Sequence, residues 1–83
     1  MKLLKFYADW CGPCKSLSAV IENAGDKITM PIQEVNIDTT PELAILYSVR
    51  SVPTLIVLDD NGAVKARVVG NMNESALLTF LKG

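Results

Sequence analysis

Cys11 and Cys14 are the only two cysteines of the sequence, and they stand three positions apart. On a helix, that spacing sets the two side chains close together on one turn. Two thiols so placed can close into a disulfide and open again. The thiolate is the form that attacks a disulfide sulfur, so the first cysteine belongs where negative charge is favoured. A helix N-terminus is such a place, because its first N–H groups lack partners and carry a partial positive charge. Pro13 suits a first helical turn, where its missing N–H costs nothing. The run Lys2-Leu3-Leu4-Lys5-Phe6-Tyr7-Ala8 ahead of the pair reads as a strand. Cys11 is therefore expected at the exposed tip of a helix that follows a strand. There it would act as the attacking nucleophile and form a mixed disulfide with a substrate. Cys14, one turn inside, would be more buried and less acidic, and would resolve that mixed disulfide.

Two other uses of a cysteine pair fit less well. A purely structural disulfide would close a very small loop, worth only about 2 kcal/mol in the chain-entropy model. Structural zinc takes four Cys or His ligands. The chain has no His and no third Cys, so no metal site is expected without a second chain or carboxylates.

The elements that must hold the pair follow from the rest of the pattern. Leu17, Val20, Ile21 and Ala24 recur at helical spacing, and Gly25 supplies a stop. Pro31 to Ile37 reads as a second strand. Thr40 and Pro41 open a short helix whose apolar face is Leu43, Leu46 and Tyr47. Leu55-Ile56-Val57-Leu58 is a continuous apolar run, as in a strand covered on both faces. Asp59-Asp60-Asn61-Gly62 carries a hairpin signal, and Val64 to Val69 alternates with Lys65 and Arg67 as the outgoing strand. Asn73 can cap a last helix bearing Ala76, Leu77, Phe80 and Leu81. The order is βαβαββα. This predicts a four-stranded mixed sheet flanked by three helices, with the first two strands parallel and the last two an antiparallel hairpin.

Composition narrows the class. With 83 residues, 49% of them apolar, the chain is expected to form one compact domain over residues 1–83. The net charge is −1 and both signs are scattered, which gives no support to nucleic acid binding. No apolar run approaches the ~20 residues of a membrane span. Lys5 and Asp9 interrupt the N-terminus, so no signal peptide is read there. The chain is expected to begin at Met1 and to stay in a reducing, cytoplasmic compartment.

Trp10-Cys11-Gly12-Pro13-Cys14-Lys15 reproduces the active-site motif W-C-G-P-C-K of the thioredoxin family. A bare C-x-x-C is weakly specific; six residues following a strand are strongly so. Asn36-Ile37-Asp38 also resembles the family at the end of the second strand. Val52-Pro53-Thr54 resembles its cis-proline loop, Asn61-Gly62 its hairpin turn, and Gly70 the glycine beside its substrate groove. The resemblance covers nearly the whole chain. It implies a thioredoxin-like α/β fold, a cis bond between Val52 and Pro53 facing Cys11, and a Trp10 that shields the site and contacts substrate. It also implies reduction of protein disulfides, recharging by a thioredoxin-reductase-type donor, and a monomer. No metal or organic cofactor is implied, since the electrons sit on two sulfurs.

The sequence departs from the family in three ways. The usual first strand and helix are missing, Ala19 stands where a kinking proline is usual, and a charge-reversed pair replaces the buried carboxylate behind the active site. Lys5 aligns with that aspartate and Glu34 with its lysine partner, which makes Lys5 and Glu34 candidates for proton handling. Two other functions stay open at this point. One is a glutathione-dependent, glutaredoxin-like reductase, favoured by the short length and disfavoured by Trp10 and Gly12-Pro13. The other is a non-catalytic binding subunit that uses the fold for docking.

Overall fold

A computed structural model describes residues 1–82. Strand β1 (Lys2–Tyr7) runs into helix α1 (Gly12–Ala24), and a single 3-10 turn (Gly25–Lys27) leads to β2 (Ile32–Asn36). Helix α2 (Pro41–Leu46), the hairpin β3 (Thr54–Leu58) and β4 (Val64–Val69), and helix α3 (Glu74–Lys82) complete the order. The sheet runs β2-β1-β3-β4. β1 is parallel to β2 and antiparallel to β3, and β3 is antiparallel to β4.

Burial explains this order. All five residues of β3 are buried, as an unbroken apolar run demands when layers cover both faces. On one face, Leu3, Leu55 and Val57 pack with Leu17 and Ala24 of α1 and Leu77 of α3. On the other, Leu4, Phe6, Val35, Ile56 and Leu58 pack with Ala44 of α2. β1 and β3 thus form the hydrophobic spine, and β2 and β4 are edges.

Local chemistry sets the ends of the elements. Cys11 occupies the N-cap of α1, and its side chain accepts the N–H of Cys14. Gly25 ends α1 with φ of 48°, a left-handed conformation that glycine adopts without a Cβ clash. The winding does not stop there as the sequence suggests, since one 3-10 turn follows. Asn73 Oδ1 accepts the N–H of Ala76 at 2.8 Å and caps α3. Thr40 precedes α2 but makes no side-chain capping bond. The hairpin closes where Asp59 Oδ1 accepts the N–H groups of Asn61 and Ala63 at 2.8 and 3.0 Å. No helix among the described residues is long and apolar enough to cross a membrane.

Candidate functional site

The site is built where β1 stops. After Tyr7 the chain turns through Ala8-Asp9-Trp10, and the Cys11 N–H donates to the Ala8 carbonyl at 3.2 Å. That turn delivers Cys11 to the N-cap of α1 in an extended backbone conformation (φ −91°, ψ 107°). Cys11 and Cys14 are joined as a disulfide with Cα atoms 5.3 Å apart. The Cys14 N–H points at Cys11 Sγ at 3.1 Å. It is one of the partnerless donors of the first helical turn, directed at the sulfur that would carry negative charge once the disulfide is reduced.

The expected contrast in exposure between the sulfurs is slight. Cys11 is 4% exposed and Cys14 2%. Cys11 is at the helix tip as expected, but in the disulfide form it is not an exposed side chain. Ala8, Tyr7, Ile37 and Val52 pack around the pair. The two sulfurs are therefore distinguished less by accessibility than by the N–H that serves only Cys11.

The loop before β3 faces the pair. The Val52–Pro53 peptide bond is cis, Pro53 is buried, and the Val52 carbonyl lies 3.7 Å from Cys11 Sγ. In the disulfide this sulfur has no proton to donate, so the contact becomes a weak S–H···O bond only in the dithiol. The Gly70 N–H donates to the Pro53 carbonyl at 2.9 Å, which ties the end of β4 to the same loop. Gly70 has φ of 100°, a backbone geometry that side-chain-bearing residues rarely adopt. Trp10 is 69% exposed, and its indole N–H donates to Asp38 Oδ2 at 3.0 Å, which braces the ring at the rim. Gly12 and Pro13 are exposed between the cysteines. Trp10, Gly12 and Pro13 thus adjoin the Cys11–Cys14 pair along the chain, Val52 packs against it, and Gly70 is joined to Val52's neighbour Pro53.

Behind the pair lies a second group. Lys5 is buried in mid-β1, with its ammonium 3.3 Å from Glu34 Oε1 across the parallel β1/β2 register, where Lys5 and Glu34 are direct partners. Lys5 is 4% and Glu34 60% exposed at the side chain. The ammonium also donates to Ser18 Oγ and lies 5.5 Å from the centre of the Tyr7 ring. Ser18 Oγ in turn donates to the Cys14 carbonyl at 3.0 Å. Sequence reasoning singled out Lys5 and Glu34 but missed Ser18. The spacing alone offers a hint, since Ser18 stands four positions after Cys14, one helical turn along the same face of α1, but it names no partner.

Comparison with known proteins bears on this arrangement. The sequence model of the family described as Thioredoxin matches residues 1–83. The thioredoxin of Mycolicibacterium smegmatis is 40% identical over 83 residues, covering 95% of this chain and 73% of that protein. The thioredoxin of Chlamydia caviae is 41% identical over 80 residues, covering 95% and 78%. Among solved structures, a mutant thioredoxin from Halobacterium salinarum superposes with a TM-score of 0.88 at 38% identity, over 98% of this chain and 71% of that one. Reduced Schistosoma mansoni thioredoxin pre-protein gives 0.87 at 28% identity, over 98% and 75%.

Proposed function

The chain belongs to the thioredoxin family and is a thiol–disulfide oxidoreductase, and we propose that Cys11 attacks the disulfides of protein substrates while Cys14 resolves the adduct. The observation that carries these roles is the Cys14 N–H held 3.1 Å from Cys11 Sγ at the N-cap of α1. In the reduced protein that N–H and the helix dipole favour charge on Cys11.

The reaction follows in two displacements. The Cys11 thiolate attacks one sulfur of the substrate disulfide, and the other substrate sulfur leaves with the electron pair. Cys14 loses its proton and attacks Cys11 Sγ. The bond to substrate breaks, and the Cys11–Cys14 disulfide of this structure remains. The substrate gains two electrons and two protons, which the two cysteines have lost. Trp10 and the chain at Val52-Pro53 and Gly70 form the platform on which an extended substrate segment lies in strand fashion. Gly12 and Pro13 set the turn between the sulfurs.

Residues 1–83 act as one domain in this reading, as a monomer in the cytoplasm. A thioredoxin-reductase-type partner returns the pair to the dithiol. Insulin reduction, assayed with each electron donor in turn, tests the proposal. Turnover is expected with a thioredoxin reductase, and none with Cys11→Ser. Turnover supported by glutathione alone would instead assign a glutaredoxin-like activity. Partner effects that survive Cys11→Ser would assign a docking role.

A further inference from the structure

Behind Cys14 is a cleft of about 390 Å³. Lys5 and Tyr7 line it from β1, Asp9 from the turn after β1, Lys15 and Ser18 from α1, and Glu34 from β2, with Cys14 itself in the wall. A water molecule takes up ~30 Å³ in the liquid, so a space of this size admits several. The charged group buried deepest in it is the Lys5 ammonium, 3% exposed. Asp9, Lys15 and Glu34 are exposed residues at its rim.

A lysine seldom lies this deep without a task or a full set of partners. Lys5 has three: the Ser18 hydroxyl, the Glu34 carboxylate and the face of Tyr7. One of these reaches the redox pair, because Ser18 donates onward to the carbonyl of Cys14. Strand β1 is thereby pinned to the turn of α1 that carries the resolving cysteine.

From this chain of contacts we propose that Lys5 is a positioning residue for the second displacement, fixed through Ser18 and acting as a cation rather than as a base. The inference rests on the assignment of Cys14 as the resolving thiol. In the mixed disulfide, the Cys14 S–H releases its proton to water in the cleft. The Cys14 electron pair forms the bond to Cys11 Sγ, and the bond between Cys11 and the substrate sulfur breaks. That sulfur leaves as a thiolate and takes a proton from water. The developing charge on Cys14 is favoured by an ammonium held in a poorly screened position. Glu34 opposes this effect, because its carboxylate offsets part of the Lys5 charge.

The two partners therefore have opposite effects, and this separates the account from one in which Glu34 is the base. The experiment forms the mixed disulfide of the reduced chain with a peptide disulfide in a stopped-flow mixer. It then follows peptide thiol release against pH. Lys5→Met is expected to move the resolution profile alkaline by about one pH unit, which is ~10-fold slower resolution below the midpoint. Lys5→Arg is expected to restore most of the rate. Glu34→Gln is expected to move the profile to lower pH. Ser18→Ala is expected to shift it in the same direction as Lys5→Met, by less. The proposal is overturned if Glu34→Gln slows resolution, or if Lys5→Met leaves the profile where it was. Glu34 is exposed, so its variant keeps the test decisive even if Lys5→Met fails to fold. The first displacement is read in the same traces. If no adduct forms with the unaltered chain, the two-cysteine reading has failed; if it forms and resolves without regard to Lys5, only this inference has.

Discussion

The two faces of strand β1 are equally buried and chemically opposite. Leu4 and Phe6 point into the core under α2 and are 3% and 0% exposed. Leu3 and Lys5 point the other way, beneath α1, at 0% and 3%. Between β1 and α2 the contact is made by apolar side chains, including an edge-on contact of Phe6 with Tyr47 at 6.0 Å. The α1 face begins in the same way at Leu3. One step closer to the cysteines it gives way to an ammonium, a hydroxyl and an open cleft of about 390 Å³. The same strand thus anchors the fold with one face and with the other sets a lysine behind the redox pair. The change occurs over one step of the strand's alternation, from Leu3 to Lys5.

This difference can be broken from either side. The largest expected effect is at Phe6. Phe6→Ala removes a fully buried ring and should cost ~3–5 kcal/mol, measured by denaturant unfolding. A domain of this size has little more stability than that to lose. Leu3→Ala, on the α1 face, should cost ~2–4 kcal/mol. Both losses should appear in the unfolding midpoint, while exchange by the folded fraction keeps its pH profile. Lys5→Met should do the reverse. The unfolding free energy should change by less than about 1 kcal/mol, because an apolar side chain of similar length fills the site and Glu34 is left in solvent rather than buried. A large loss of stability in Lys5→Met with an unchanged pH profile would make the two faces alike, both purely structural.

How far the sequence foretells this division follows from the residues themselves. The strands and helices were legible because their signals are local: the apolar run at Leu55 to Leu58, the cap at Asn73, the turn at Asn61-Gly62. The cysteine site was legible because its motif is contiguous, and resemblance extended it to Val52-Pro53 and Gly70. Three features were not. Burial of Cys11 depends on Tyr7, Ile37 and Val52 arriving from separate elements. Burial of Lys5 runs against the usual solvation of lysine, and follows only from the placement of β1 between β2 and β3. Ser18 looks like any polar residue on a helix until Lys5 and the Cys14 carbonyl are both known to be beside it.

The smallest expected effect sharpens the comparison from the α2 side. Ser48 ends that helix with φ of 56°, a left-handed conformation that disfavours any residue with a Cβ. Arg67 of β4 donates to the Tyr47 and Ser48 carbonyls there, which holds the end of the helix to the sheet. Ser48→Gly should relieve the backbone and gain about 0.5 kcal/mol, after the extra freedom of the unfolded chain is counted. Thermal unfolding should show a small rise in Tm, and the rate of disulfide exchange should stay the same.

The central claim is that Cys11 attacks and Cys14 resolves. It is tested most directly by trapping the adduct, with Cys14→Ser and Cys11→Ser each mixed with a disulfide-bonded protein and separated without reductant. A covalent complex through Cys11 is expected to accumulate with Cys14→Ser and to be absent with Cys11→Ser. A stable complex with Cys11→Ser, and none with Cys14→Ser, would contradict it.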